Sequence, residues 1–361
     1  GPSMPNTISI NGRRISTAHP PYVIAEMSAN HNGRLESALK IIKAAKDAGA
    51  DAVKLQTYTP DTITLKSERA DFQISDGLWA GKTLYELYEE AHLPFEWHAP
   101  LFDYARDLGI TIFSTPFDTT AVDLLESLNA PAYKIASFEA IDIPLIRYVA
   151  KTGKPMIIST GMTDLDEIKE AVDAARSAGC KDLVLLKCVS AYPAPPRDYN
   201  LRSMEKLSAE FNTLVGLSDH TISNTTAIAA VALGASVIEK HFTLDRSGGG
   251  PDDSFSIEPK ELKALCASCK EAQEALGKQE MTAQASEQGN LQFRRSLYYT
   301  KDLKPGDTIT ESSVKSVRPG FGLPPKYFDD LVGAVMTTSV TMHSPVRWED
   351  IQSTPPKVAR R

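Results

Sequence analysis

The chain has 361 residues, 42% of them hydrophobic and 24% charged, with 39 Lys and Arg against 46 Asp and Glu for a formal net charge of −7. That length suits a barrel of roughly 250 residues with a small second domain, and the acidic balance lacks the clustered basic excess of a nucleic-acid surface. No apolar run approaches the ~18 residues that span a bilayer, no signal peptide opens the chain, and the scattered Cys180, Cys188, Cys266 and Cys269 suit a reducing, cytoplasmic setting.

Residues 1–19 read as a tag scar ("GPS" ahead of Met4) and an N-terminal extension. From residue 20 to 278, β-rich runs alternate with helical ones. "YVIAE" (22–26) precedes a helix ending near Gly49, and "DAVKLQ" (51–56) precedes a long insertion, about 57–94, and the helix around "EWHAPLFDYARDLG". "ITIFST" (110–115), "AYKIAS" (132–137), "PMIIST" (155–160), "DLVLLKC" (182–188), "TLVGLSD" (213–219) and "SVIEKHF" (236–242) follow, each with a helix after it. Eight strand–helix units imply a parallel sheet. Their number suits a closed (β/α)8 TIM barrel, with an open doubly wound sheet as the alternative.

After residue 278 the texture changes. A polar linker arm covers 279–293, a small domain of short strands and Pro/Gly turns covers 294–354, and 355–361 reads as a disordered tail. "GLWAGKT" (77–83) has three residues between its glycines and no leading strand, so it is no P-loop. "CASC" (266–269) has no second ligand pair for zinc and reads as helix.

In such a barrel, chemistry collects at the C-terminal strand ends. Those ends carry Glu26; Lys54 and Gln56; Ser114 and Thr115; Lys134 and Ser137; Ser159 and Thr160; Ser190 and Tyr192; Asp219 and His220; then Glu239, Lys240 and His241. A desolvated ammonium needs a partner. Lys54 and Lys134 therefore either pair internally with Glu26 or Glu239, or serve, with the nearby hydroxyls, a phosphate or carboxylate. His220 and His241 end consecutive strands, which lie ~4.8 Å apart, so both imidazoles either bind one metal ion or are structural. Two histidines with oxygen ligands suit Mn, Mg, Co or Zn, and without a thiolate nothing selects zinc. Strand alternation turns Glu239 and His241 inward and Lys240 toward the helices. The loop "RSGGGPDD" (246–253) lies over the barrel mouth, where Asp252 or Asp253 can reach a ligand, and no nucleophile elbow is present.

The ordered motifs "IAEMSANHNG", "AVKLQTY", "STPFD", "YKIAS", "ISTGMT", "YPAP", "GLSDHT", "EKHFTLD" and "GPDDSFSIEP" resemble the sialic acid synthase family, and "RRSLY", "GDTIT" and "RPGFGLPP" resemble its antifreeze-like, SAF-type domain. The resemblance covers about 20–351. The stretches 78–98 and 134–146, with "SFE" at 137–139, resemble the pseudaminate branch. The neuraminate and legionaminate branches, with the same mechanism, are the alternative, and a non-enzymatic carbohydrate- or ice-binding role is a remote one.

The resemblance implies a transferase that condenses phosphoenolpyruvate with the open-chain aldehyde of a 2,4-diacetamido-2,4,6-trideoxy-L-altrose. Water attacks C2 of the enolpyruvate, and phosphate leaves by C–O cleavage. It implies His220 and His241 as ligands of a divalent metal, Mn2+ first and Mg2+ or Co2+ as alternatives, that polarises the aldehyde. It implies Lys54, Thr115 with Ser114, Lys134, Ser137, Ser159 and Ser190 around phosphoenolpyruvate, and Glu26 as acid/base. Gln56, Tyr192, Asp252, Phe293 and Arg318 would hold the N-acetylated amino sugar. Ser190 stands where neuraminate synthases have Asn. A homodimer is implied, its antifreeze-like domains swapped over the partner's barrel so that Arg318 and Phe293 meet the partner's ligand.

Overall fold

The structure, a computed structural model, describes residues 6–77 and 79–352; the scar at 1–3 and the tail at 355–361 lie outside the described residues. The chain begins with a hairpin, β1 (Ile8–Ile10) and β2 (Arg13–Ile15). Asn11 and Gly12 turn it at φ of 50° and 82°, the two positive angles that an Asn-Gly pair supplies in a tight hairpin turn.

Eight parallel strands then close a barrel: β3 (Tyr22–Glu26), β4 (Ala52–Thr57), β5 (Thr111–Pro116), β6 (Tyr133–Ile135), β7 (Met156–Ser159), β8 (Leu183–Cys188), β9 (Leu214–Asp219) and β10 (Val237–His241). The closing pair is β10 with β3, in a register that sets His241 beside Glu26. The main surrounding helices are α1 (Leu35–Ala48), α2 (Pro60–Ile63), α3 (Leu84–Ala91), α4 (Phe95–Leu108), α5 (Thr119–Ser127), α6 (Ile143–Ala150), α7 (Leu165–Ser177), α8 (Ser203–Phe211), α9 (Thr225–Ala232) and α10 (Pro259–Leu276). The insertion at 57–94 contains α2 and α3, the latter started by a Thr83–Glu86 capping box. "AYKIAS" is a strand only to Ile135; Ser137–Glu139 is a turn of 3-10 helix, braced where Gly161 N donates to Ser137 Oγ at 3.1 Å.

Two apolar layers hold the barrel. One lies between strands and helices, with Ile41, Val53, Leu101, Leu145 and Leu217 fully or almost fully buried. The other fills the lower interior with Tyr22, Ile24, Ala52, Phe113, Ile157, Val184, Leu186 and Val237, closed from below by Ile8, Ile10 and Ile15 of the hairpin. Side chains two apart on a strand share a face. Each strand therefore changes from apolar at the floor to polar at the mouth: Tyr22, Ile24, Glu26 on β3; Ala52, Lys54, Gln56 on β4; Val237, Glu239, His241 on β10.

The chain divides into two compact units, Gly1–Gly277 and Lys278–Arg361. In the second, an exposed 3-10 segment (Ala285–Phe293) leads to β11 (Ser296–Tyr299), paired antiparallel with β12 (Val314–Val317). With α11 (Phe328–Leu331) these elements enclose a core of Leu297, Tyr299, Ile309, Val314, Leu331, Met336 and Val346.

Candidate active site

The barrel mouth opens into a pocket lined by Glu26, Lys54, Gln56, Lys134, Ser137, Phe138, Ser159, Cys188, Ser190, Tyr192, Ser218, His220, Glu239 and His241. At its base four charges interlock. Lys54 Nζ reaches Glu26 Oε2 at 3.0 Å, Glu239 Oε1 at 2.9 Å and Thr115 Oγ1 at 3.0 Å. Lys134 Nζ reaches Glu239 Oε2 at 3.0 Å. All four side chains are at most 4% exposed.

Burial pushes the Glu26 carboxyl up to about 7 against the pull of Lys54. Burial would also raise Glu239, but Lys134 and Lys54 outweigh it and hold that carboxyl well below its ordinary range. For Lys54 burial works downward, and the two carboxylates overcome it. For Lys134, burial wins over Glu239 and its ammonium is lowered. Two acids and two bases thus sit at nearly balanced charge, with Glu26 the acid nearest to holding a proton.

Above this quartet stand His220 and His241, ring centroids 5.4 Å apart. Burial lowers both imidazoles to about 3, with each reinforced or opposed by neighbouring charges, so both are neutral at physiological pH. His220 Nδ1 lies 2.8 Å from the Val189 carbonyl. A carbonyl only accepts, so Nδ1 carries the hydrogen and Nε2 keeps its lone pair. Tyr192 stacks on His220 and also meets His241 and Phe255.

The remaining sequence candidates divide. Gln56, Ser137, Ser159 and Ser190 line the pocket, and the buried Ser159 hydroxyl has no protein partner among the described residues. Thr115 is present but sits behind Lys54 as its hydrogen-bond partner. Ser114 corrects the expectation: alternation turns it outward, where it bonds Thr57 Oγ1 at 2.6 Å and, through Thr57, His98. Thr160 likewise points away and donates to the Leu186 carbonyl. Asp252 is not a lining residue; it takes the Ser28 hydroxyl and the Ala29 N–H at 3.2 Å, while Ser28 N donates to Glu26 Oε1 at 3.1 Å. Phe293 and Arg318 lie in the second unit, where they line one concavity with Asn290, Arg294 and Arg295.

Comparison with known proteins decides the family. Residues 41–281 match the NeuB family, and 294–352 match the SAF domain. The chain belongs to the NeuB family. It is 46% identical over 331 residues to a pseudaminic acid synthase from Campylobacter jejuni, covering 92% of this chain and 96% of that one. It is 44% identical to a pseudaminic acid synthase from Helicobacter pylori, covering 92% and 98%. An N,N'-diacetyllegionaminic acid synthase from C. jejuni is 39% identical, covering 87% and 95%. Among solved structures, an N-acetylneuraminic acid synthetase from Leptospira borgpetersenii in complex with citrate has a TM-score of 0.71 at 32% identity, covering 80% of this chain and 96% of that one.

The NeuB-family barrel meets the chemical demands of a divalent ion in one respect and leaves another open. Metal ligands must be deprotonated, and the two neutral imidazoles are, with the His220–Val189 contact of the kind that orients a metal-binding ring. Among the described residues no group of three or more His, Cys, Asp and Glu gathers as a metal cage. His220 and His241 therefore fit an ion that completes its shell with water and substrate oxygens. Four lining residues lie outside the candidates read from the sequence: Ala136, Ser218, Cys188 and Phe138. Ser218 shares the inward face of β9 with His220 and donates to Glu239 Oε2 at 2.9 Å, so alternation alone identifies it. Cys188 lies two residues before Ser190 in the same way. Phe138 sits on the 3-10 turn and is 66% exposed, a position no strand pattern points to.

Proposed function

We propose that this chain is a pseudaminic acid synthase: it joins C3 of phosphoenolpyruvate to the aldehyde carbon of open-chain 2,4-diacetamido-2,4,6-trideoxy-L-altrose. Water adds at C2 and phosphate departs with C–O cleavage, so substrates and water balance pseudaminic acid and inorganic phosphate. The observation that carries this reading is the 44–46% identity to pseudaminic acid synthases, against 39% to the legionaminic acid relative. A charged pocket at the barrel mouth agrees with an enzyme rather than a passive carbohydrate binder.

In this reading Lys54 and Lys134 receive the carboxylate and phosphate of phosphoenolpyruvate, and Glu26 and Glu239 keep the ammoniums aimed until it arrives. Ser137, Ser159 and Ser190 supply hydroxyls, the unpartnered Ser159 first among them, and Thr115 holds Lys54 in place. Glu26 handles the proton of the attacking water as general acid/base. Gln56 and Tyr192 hold the sugar, and Asp252 acts indirectly, fixing the Ser28–Ala29 loop whose Ser28 N–H meets Glu26. NeuB-family enzymes generally depend on a metal ion. Held by His220 and His241, a divalent ion, Mn2+ in our reading, supplies positive charge for the aldehyde oxygen when bound.

A second copy of this chain is the partner we propose. The loops after four successive strands expose Phe138, Ile141, Met162, Tyr192 and Ile222 around the mouth, and the second unit exposes Phe293, just ahead of the SAF domain, and Phe321 within it. Large apolar side chains gathered on one face mark interaction sites, and a domain-swapped homodimer covers both sets, bringing Arg318 and Phe293 to the partner's sugar. We assign the reaction to the cytoplasm, where phosphoenolpyruvate is made; no helix among the described residues is long and apolar enough to cross a membrane.

A panel of phosphoenolpyruvate with the trideoxy altrose sugar, its legionaminate counterpart and N-acetylmannosamine, read by product mass, tests the proposal. We expect nonulosonate and phosphate from the first sugar. Preference for either of the other two overturns the branch, and no product from any overturns the synthase reading.

A further inference from the structure

Directly behind the two histidines lies an ion pair that touches neither the pocket nor solvent. Asp219 and Lys240 precede His220 and His241 in the chain, are Cα partners in the β9–β10 register, and have side chains 0% and 2% exposed. Alternation turns them outward from the barrel as it turns the histidines inward. Lys240 Nζ lies 2.7 Å from Asp219 Oδ2 and 3.1 Å from the Thr221 carbonyl, and it donates also to the Ser223 carbonyl. An ammonium has three protons, and all three are used.

The acceptors explain the arrangement. Thr221 and Ser223 belong to the turn that leaves β9 immediately after His220. The second oxygen of Asp219 holds the same turn, taking the Thr221 N–H at 2.9 Å and its hydroxyl at 2.6 Å. His220 is thus bracketed: the residue before it and the residues after it are fastened to one ammonium, and that ammonium belongs to the residue before His241. Tyr199 adds a further bond, its hydroxyl accepting the His220 N–H at 2.7 Å. A buried ion pair is poor evidence of stability, since apolar residues of similar volume often serve as well. Here its geometry offers what an apolar pair cannot, a fixed distance between two particular backbone segments.

We propose that Asp219 and Lys240 are positioning residues that set the spacing and aim of His220 and His241 for a shared divalent ion; this rests on the reading of those histidines as its ligands. Each ring can rotate on its own side chain, so the backbone clamp limits where two imidazoles meet. The anion-binding lysines Lys54 and Lys134 stand on other strands and do not depend on it.

The test uses full-length protein and two titrations by calorimetry: Mn2+ alone, and phosphoenolpyruvate in the presence of chelator. Wild type is measured first; if it binds no Mn2+, the ligand reading of His220 and His241 fails, independently of the clamp. The double variant Asp219→Asn/Lys240→Met removes both charges together, so neither is left buried without its counter-charge, and it frees the Thr221 and Ser223 carbonyls from the ammonium. We expect it to fold by circular dichroism, to bind Mn2+ at least tenfold more weakly, and to keep phosphoenolpyruvate affinity within twofold, as second-sphere changes at metal sites typically cost roughly 10–100-fold. Wild-type Mn2+ affinity in the folded double variant overturns the proposal, and so does an equal loss of both affinities. Lys240→Arg, which keeps the charge but cannot place one nitrogen among the three acceptors, is the second variant and should show the same selective loss. If neither variant folds, the pair serves the barrel itself and the proposal is overturned.

Discussion

Tyr192 lies over His220, with ring centroids 4.1 Å apart and planes 30° from parallel. The tyrosine comes from the loop after β8 and the histidine from the end of β9, so one aromatic contact joins neighbouring strand ends above the pocket. Aromatic pairs of this kind are worth ~0.5–1.5 kcal/mol. Tyr192→Ala should therefore weaken Mn2+ binding by roughly three- to tenfold while Tyr192→Phe leaves it unchanged. Equal affinity in the Ala variant would show that the ring does not support the histidine.

Glu239 is the hub of the buried charges, shared by Lys54, Lys134 and Ser218. Removing one partner from a buried pair costs about 3–5 kcal/mol. Glu239→Gln should lower the stability measured by urea unfolding by that amount, because two ammoniums lose their common counter-charge. A change below about 1 kcal/mol would mean that Glu26 takes over the task.

Glu139 offers a pH test away from the histidines. Burial, helped by Asp142, raises its carboxyl from 4.5 to about 7. Between these values the unfolded chain releases a proton that the folded chain keeps, so stability falls as pH rises through the window. Glu139→Gln should remove this slope. The Tm difference in favour of the variant should grow from pH 4.5 to pH 7 and then level; a difference independent of pH would contradict the assignment.

Gly216 has no room for a side chain. A Cβ there would stand 2.2 Å from the Val237 carbonyl oxygen and 2.8 Å from Leu186, both in the rigid floor of the barrel. Overpacking of this kind costs about 1–3 kcal/mol. Gly216→Ala should lower Tm and weaken Mn2+ binding together, since β9 and β10 also carry the histidines; an unchanged Tm would show that the strands part without cost.

Lys54→Ala and chelation should damage different steps. Exhaustive EDTA treatment should abolish turnover, leave phosphoenolpyruvate binding in place, and be reversed by Mn2+. Lys54→Ala should raise KM for phosphoenolpyruvate and leave Mn2+ affinity near that of wild type. Full activity after chelation, or an unchanged KM in the variant, contradicts the respective assignment.

Much of the fold was legible because strand and helix periods differ, and eight alternations leave few topologies. The Asn11–Gly12 turn is a strong local hairpin signal, but Ile8, Ile10 and Ile15 do not announce that they will plug a barrel floor. Ser114 and Thr115 end the same strand, yet adjacent strand residues face opposite ways, and alternation applied strictly separates them. Asp252 lies on a loop, where no period predicts aim. Its bond to Ser28 spans 224 positions in the chain, so nothing nearby in the sequence foretells it.

Strand periodicity by itself determined which way each residue faces. It set Glu239 and His241 inward and Lys240 outward, because side chains on an extended chain alternate whatever surrounds them. Only the tertiary structure decided the partners. Lys134 and Glu239 stand 105 positions apart, and they meet because closure of the barrel brings the inner faces of distant strands together. The pairing of β9 with β10 sets the two imidazoles 5.4 Å apart, and the turn after His220 wraps around Lys240. Register between strands is a property of the closed sheet, and no single strand carries it.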